Sequence, residues 1–409
     1  MAWGVLGRHA DFRRLFVGNA VSLLGSSVTM VALPLTAVLY LHASPLQMGL
    51  LGAAGMLPHL VLGLPAGVWV SRLPYRRVLV VADLAQALLL GSIPVLAAVG
   101  QLRMWHLYAV VCLAGAAGLF EIVCLQSFTP LLLPHEDLFA GNSAYLGSFQ
   151  TINTTGPATA GVLVTVFGAP LAIAVDAVSF LVAAVAKSRI RNPGHPAAPS
   201  TAAPAPGIGD GLRTLFAHPL LRPMTLAATV AAFAGQAQTV VVVLFLVREL
   251  HLAPWAVGVA VALVGAAGVI GAALVGRYTR TVGPGRALIS GALFTSAAGL
   301  VLAAAGPLVL VAVAQLMRGV GPSLFGVNQQ TLRQTLVPAQ RLAQVNASWR
   351  FLVFGFQSLG ALVGGVLGSA FGLRSTLVAT SCLMLAGTAI GVVSPLRSLR
   401  SLPVPLTLP

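Results

Sequence analysis

"PHEDLFAGN", residues 134–142, and "PAQRLAQVN", residues 338–346, are two polar islands in an oily chain. Pro134 and Pro338, Leu138 and Leu342, and Asn142 and Asn346 stand at one offset of 204 residues. The same offset links Gln126 with Gln330, Gly156 with Gly360, Gly161 with Gly365, and Gly168 with Gly372. Earlier in each half the offset is 209, linking Pro45 with Pro254, Gly49 with Gly258, Gly67 with Gly276, and Arg77 with Arg286. The change of five residues implies a shorter stretch between the third and fourth helices of the second copy. Gly and Leu match by chance in such a chain, so the Pro, Asn, Gln and Arg matches carry the weight. The chain reads as one unit stated twice in the same orientation.

Composition says what kind of unit this is. The 409 residues are 57% hydrophobic and only 8% charged, against about 25% charged in an average soluble protein. So few charges do not cover a water-soluble domain of this size. The 44 glycines fit a membrane protein, because Gly is commoner in membrane helices than in soluble ones. The net charge of +15 does not signal nucleic acid, since the basic residues stand singly or in small groups between apolar runs. Cys112, Cys124 and Cys382 all lie in apolar runs, without metal-ligand spacing or a disulfide pattern. The head "MAWGVLGRHADFRR" precedes an apolar run too long for a cleaved signal, so it reads as the lead-in to an uncleaved first span.

A span needs about 20 apolar residues. That rule predicts an all-α polytopic protein of twelve transmembrane helices in two parallel six-helix repeats. The spans are expected near 16–40, 46–70, 77–99, 104–131, 141–167 and 169–187, then 223–247, 254–276, 286–304, 307–332, 343–371 and 373–393. Eighteen Arg and Lys residues, Lys187 among them, fall in one set of loops and ends, and only Arg103, Arg248 and Arg374 in the other. That bias puts both termini in the cytoplasm. The expected domains are a bundle over 1–187, a linker over 188–222, a bundle over 223–394 and a tail over 395–409. The linker opens with the Pro- and Ala-rich "NPGHPAAPSTAAPAPGIGDG". After it, "LRTLFAHPLLRPM" reads either as an amphipathic helix on the membrane face or as a lead-in to the seventh span.

Parallel repeats about an axis along the membrane normal are one of the few transporter plans. Two such halves rock around a central site and expose it to each side in turn. The two polar islands then become equivalent turns, with Asn142 and Asn346 placed to bond free backbone groups at the next helix start. Gly360, Gly364, Gly368 and Gly372 share one helix face, and Gly156, Ala160 and Val164 share the matching one. Small residues at this spacing let backbones approach. The face serves either sliding halves, the reading taken here, or packing within one half.

Several stretches resemble the major facilitator superfamily, and more narrowly its bacterial drug and siderophore exporter branch, which includes macrolide-efflux-like proteins. They are "LPAGVWVSRLPYRRVLVVADLAQA", "PLLLPHEDLFAGN", "GPATAG", "VDAVSFLVAA" and "NQQTLRQTLVPAQRLAQVNASWRFL". The resemblance implies the twelve-helix fold and secondary transport. Gly156, Pro157 and Gly161 match the fifth-helix motif associated with antiporters. Gly67, Arg72, Arg76 and Arg77 match the loop motif after the second helix, but Ser71 stands where that motif has Asp. "LGSS" (Leu24–Ser27) stands where the family often has an acid, and Gln86 where it often has Arg.

A charge in the hydrocarbon core costs roughly 2.5–3.5 kcal/mol on insertion scales, so each intramembrane charge needs a reason. Glu121, Arg318 and Asp176 fall within spans and are the candidates for handling protons or substrate. In the resembled fold the first, fourth, seventh and tenth helices line the cavity, which puts Glu121 first. Its alternative role is a salt bridge to Arg318 or another Arg. Asp176 reads as a structural hydrogen-bonding acid. Asp83 and Arg350, near helix ends, join Gly67, Ser71, Arg72, Arg76 and Arg77 as gating candidates. Asn19, Gln150, Asn153, Gln236, Gln238, Asn328 and Gln329 are candidate cavity liners.

No catalytic set, nucleotide-binding loop or metal-ligand spacing is present in the sequence, so neither enzymatic activity nor a cofactor or metal is expected. The leading function is proton-coupled export of lipophilic small molecules, with cavity carboxylates exchanging cationic amphiphiles for protons. The expected partners are a small-molecule substrate, protons and the bilayer of a bacterial plasma membrane, with the protein a monomer. The alternatives are an importer or uniporter, a lipid flippase on the same fold, or a transport-inactive membrane scaffold or sensor.

Overall fold

The structure, a computed structural model, describes residues 4–63, 65–70, 72–191, 208–306 and 308–401. Among these residues there are twelve long helices. They are α1 (Ala10–Leu35), α2 (Pro45–Leu62), α3 (Tyr75–Ala98), α4 (Met104–Leu132), α5 (Leu138–Phe167), α6 (Ala169–Ser188), α7 (Leu221–Leu244), α8 (Pro254–Val282), α9 (Pro284–Ala303), α10 (Leu308–Leu336), α11 (Ala339–Phe371) and α12 (Leu373–Val393). Short helices cover Gly4–Arg8, Pro65–Val70 and Ile208–Ala217. Eleven of the long helices are apolar enough to cross a membrane by length and composition. The other, α5, carries Gln150, Thr151, Asn153, Thr154 and Thr155 within two turns, which lowers its hydropathy.

The helices overrun the expected spans where arginines begin. α1 starts at Ala10, because Phe12 and Phe16 pack against Leu133 and Ala144. α8 runs to Val282, through Arg277 and Arg280, and α11 starts at Ala339, before Arg341. An apolar count ends at the hydrocarbon edge, whereas the backbone ladder continues past it. Near Pro65 the opposite happens: α2 ends at Leu62 and Pro65–Val70 starts anew. Asn142 and Asn346 do not cap their helices as expected, since α5 begins at Leu138 and α11 at Ala339, leaving both asparagines inside.

The repeat reaches down to backbone detail. α1 widens into a π-helical turn at Thr36–Tyr40, and α7 does so at Phe245–Glu249, 209 residues on. His42 and His251, at the same offset, both take φ of 51°, a left-handed conformation uncommon outside Gly. Gly168 and Gly372, offset by 204, turn the chain between α5 and α6 and between α11 and α12 with φ of 83° and 85°.

By their contacts the residues form two compact units. Unit 1 comprises 1–43, 54–202 and 252–262; unit 2 comprises 44–53, 203–251 and 263–409. Within unit 1, a Cβ on Gly161 would lie 2.9 Å from the Gly258 Cα. Within unit 2, a Cβ on Gly365 would lie 2.8 Å from the Gly49 Cα. These are equivalent pairs under the repeat, and each permits a close helix crossing.

The four-spaced glycine face serves a different contact. Cβ atoms on Gly360 and Gly364 would strike the backbone of Phe233 and Ala237 on α7. One on Gly156 would strike Ser27 on α1. Gly360, Gly364 and Gly156 therefore pack inside one half, whereas Gly368 on the same face meets Pro45 of α2 as well as Val241 of α7.

The helix Ile208–Ala217 begins before the expected amphipathic stretch. Its Leu215 is fully buried with Leu221, Leu332 and Trp349, so its apolar side rests on protein.

Candidate functional site

Unit 1 closes around charges. The Lys187 Nζ, at the end of α6, donates to Asp83 Oδ1 at 2.8 Å and to Glu121 Oε1 at 2.7 Å. The Gln86 Nε2 donates to Glu121 Oε2 at 2.9 Å. Lys187 and Asp83 are completely buried, and Glu121 is 8% exposed. Three helices supply the groups: α3 carries Asp83 and Gln86 one turn apart, α4 carries Glu121, and α6 carries Lys187. A buried ion pair holds together only when its remaining polar atoms are also bonded. Here Asp83 Oδ2 has no hydrogen-bond partner among the described residues. The cluster therefore has two carboxylates for one ammonium and one buried oxygen with no donor.

This arrangement corrects three expectations. Glu121 is paired, but with Lys187 rather than with Arg318 or another Arg. Lys187 is not a loop residue facing water; it is fully buried. Asp83, expected near a helix end among the gating residues, is the second acid on the same ammonium. Neither carboxylate is left free to meet a cationic amphiphile. The arginine absent from the third helix is answered here by Gln86 for the hydrogen bond and Lys187 for the charge.

Asp176 is 1% exposed. It accepts from Ser26 Oγ at 3.4 Å and Ser179 Oγ at 3.3 Å. Thus Ser26 of "LGSS" faces an acid supplied by α6, whereas Ser27 donates to Leu24 O at 2.6 Å. Asn19, Gln150 and Asn153 are half-buried in unit 1. Pro157 is buried, its carbonyl close to Gly258.

Unit 2 contains a cavity instead of a charge cluster. Its volume is about 450 Å³, and its lining includes Gln236 and Gln238 on α7, Thr295 on α9, Arg318, Phe325 and Gln329 on α10, and Trp349 on α11. Among the candidate liners, Gln236, Gln238 and Gln329 reach it. Asn328 does not: it accepts from Thr279 Oγ1 at 3.1 Å and donates to Leu324 O at 2.9 Å, which ties α8 to α10. Gln238 also donates to Ser381 Oγ at 2.9 Å. Arg333, which the sequence placed among loop arginines, is 9% exposed and lies over the Trp349 ring at 4.7 Å.

The gating candidates are spread out. Arg76 donates to Ile190 O at 2.8 Å. Arg72 and Arg77 are exposed, and so is Arg350, which lies 5.8 Å from the Phe354 ring. Gly67 lies in the short helix Pro65–Val70, and Ser71 lies outside the described residues.

The profile of the Major Facilitator Superfamily matches residues 15–356 and again 224–405. The multidrug efflux pump Tap of Mycolicibacterium fortuitum is 28% identical over 386 residues, spanning 91% of this chain and 92% of that protein. The macrolide efflux protein A of Streptococcus pyogenes is 29% identical over 187 residues, 44% of this chain and 45% of its own length. Among solved structures, a bacterial homologue of the human lysosomal transporter Spinster superposes with a TM-score of 0.75 at 15% identity, covering 95% of this chain and 97% of that one. A bacterial homologue of the iron transporter ferroportin superposes with a TM-score of 0.72 at 17% identity, covering 94% and 98%. At such identities the structural likeness speaks for the fold.

Proposed function

Because the chain belongs to the Major Facilitator Superfamily, we propose that it is a proton-coupled exporter of lipophilic small molecules working by alternating access in a bacterial plasma membrane. The moving halves are the bundles over 1–187 and 223–394. The linker over 188–222 and the tail over 395–409 lie in the cytoplasm with both termini, and the working form is a monomer. The efflux names of the relatives support the direction, and the antibiotics or secreted metabolites of the host are the substrates.

The observation that carries proton coupling is the cluster of Asp83, Glu121 and Lys187. With both acids ionised, the cluster has a net charge of −1 inside the membrane; with one proton it is neutral. A buried, donor-less carboxylate oxygen such as Asp83 Oδ2 is costly when ionised and is the place for that proton. Releasing it costs charge burial, which a change of exposure during the cycle relieves. The proton site in this reading is the pair Asp83 and Glu121, where the sequence offered Glu121 first, with Arg318 and Asp176 beside it.

The test is accumulation of lipophilic dyes and antibiotics in efflux-deficient cells, then in proteoliposomes with an imposed pH gradient. Extrusion by the wild type that is abolished by an uncoupler, and lost in Asp83→Asn and Glu121→Gln, is the expected result. Gradient-driven extrusion that persists in the double variant would sink the assignment.

A further inference from the structure

No Asp or Glu follows Glu249 in the sequence. Unit 2 holds two acids, and neither is available to its interior. Glu249 lies 3.5 Å from Arg374, and Asp210 is exposed on the short helix Ile208–Ala217. Arg318 nevertheless lines the unit 2 cavity. Among the described residues it has no ion-pair partner. An arginine inside a membrane span is expensive, and it normally pairs or marks a pathway.

A second polar group on the same wall is also unsatisfied. Gln329 lines the cavity and is 6% exposed, and its Nε2 has no hydrogen-bond partner among the described residues. Arg318, Pro322, Phe325 and Gln329 all line the cavity, at steps of four, three and four along α10, so they form one face of that helix. Eleven residues of helix rise span about 16 Å. The face therefore presents a cation at one end and an amide donor at the other, with Pro322 and Phe325 between them. The lining also includes Ala228, Ala231, Ala232, Trp349 and Val353, from α7 and α11. The volume of about 450 Å³ lies in the range of small-ligand pockets, about 300–1,000 Å³.

We propose that this cavity binds the anionic group of an amphipathic substrate: a carboxylate on Arg318, an apolar body along Phe325 and Trp349, and a hydrogen-bond acceptor toward Gln329. The inference rests on the reading of the chain as a small-molecule transporter, and it makes the substrate class lipophilic acids. A guanidinium forms two parallel bonds to a carboxylate, which supplies the counter-charge that unit 2 lacks. A cationic amphiphile would meet Arg318 as a like charge with no acid to offset it.

Equilibrium binding tests this without any transport. The protein is placed in lipid nanodiscs as a variant retaining Trp349 as its sole tryptophan, and Trp349 fluorescence is titrated with three probes of one shape. These are 4-phenylbutyrate, 4-phenylbutanamide and 4-phenylbutylamine. The carboxylate should quench saturably and bind about tenfold tighter than the amide, with the amine weakest. Arg318→Gln should erase the carboxylate preference while leaving amide binding in place, which certifies the fold. Arg318→Lys should keep part of the preference. The proposal is overturned if the amine matches the carboxylate, if no carboxylate preference is seen, or if Arg318→Gln leaves it unchanged. Proton-driven export can fail with this preference intact, and the preference can fail with export intact, so the two readings are separable.

Discussion

The unit 1 charge cluster and the unit 2 cavity stand at equivalent places in the repeat. A shift of 209 takes Asp83 and Gln86 to Ala292 and Thr295, and a shift of 204 takes Glu121 and Lys187 to Phe325 and Gly391. Ala292, Thr295 and Phe325 all line the cavity. In one copy the space between three helices is filled by two acids, an amide and a lysine. In the other, small and aromatic residues leave it open, and Arg318 faces it from the equivalent of Ala114. The same scaffold occurs twice; one copy is filled by a buried charge cluster and the other is left as an open cavity. Under the two proposals above, proton handling and substrate binding fall to different halves.

The sharpest break in this comparison comes from deleting each cation. Lys187→Met leaves Asp83 and Glu121 buried without their shared ammonium. Breaking a buried pair costs about 3–5 kcal/mol, so the variant should lose most of its thermal stability in detergent. Arg318→Met removes a charge that has no ion-pair partner among the described residues, so its unfolding temperature should hold or rise. Both effects are read by thermal unfolding of the purified proteins. Equal losses in the two variants would mean that Arg318 is as firmly paired as Lys187. Adding Asp83→Asn and Glu121→Gln to Lys187→Met should recover stability without recovering proton dependence.

The comparison is sharpened by moving an acid across it. Phe325→Glu places in unit 2 the acid that unit 1 carries at Glu121. The new carboxylate lies two turns from Arg318 along one helix face. It should abolish the tenfold preference for 4-phenylbutyrate, worth about 1.4 kcal/mol, while the amide probe still binds. An undiminished preference would mean that the anion does not sit on this face of α10.

A smaller effect separates the cluster from the remaining intramembrane acid. Asp176 accepts from Ser26 and Ser179 and has no cation within ion-pair distance among the described residues. Asp176→Asn keeps an acceptor oxygen for those hydroxyls. It should shift stability by about 1 kcal/mol, the scale of one hydrogen bond, and leave gradient-driven extrusion unchanged. Loss of proton dependence in this variant alone would move the proton site from Asp83 and Glu121 to Asp176.

The repeat and the helix count were legible because they rest on local signals: apolar length, paired Pro and Gly positions, and arginines at the loops. The cluster was not, because Asp83, Glu121 and Lys187 lie far apart in sequence and meet only when α3, α4 and α6 assemble. A lysine just after an apolar run reads as a residue reaching for water. One signal pointed the other way. Lys187 is the single lysine in a chain whose other 22 basic residues are Arg. A compact ammonium satisfies two carboxylates from different helices, whereas a planar guanidinium favours one side-on partner. The cavity was half legible. Gln236, Gln238 and Gln329 were marked by polarity, but the lack of any acid beyond Glu249 gains meaning only once Arg318 is seen without a partner.

The two polar islands give the mildest form of the same contrast. Asp137 in the first corresponds to Arg341 in the second. Asp137 accepts from His9 Nε2 and from Arg8 Nη2, both at 2.8 Å, which ties the short helix Gly4–Arg8 to the turn before α5. The His9 hydrogen bond, and then the Arg8 charge, hold the Asp137 carboxyl below its ordinary value of 3.8. A depressed carboxylate contributes stability that is complete above the ordinary value and fades as pH falls through the depressed one. Amide exchange over Gly4–Arg8 should therefore accelerate, relative to the intrinsic rate, as pH falls below about 4. In Asp137→Asn the same amides should already be weakly protected at neutral pH and should show no such step. Arg341 is exposed and has no acidic partner among the described residues. Neutralising it as Arg341→Gln should leave exchange across Ala339–Phe371 flat over the same pH range. A step there would show that the second island conceals a titrating partner, and that the two copies differ less than their charges imply.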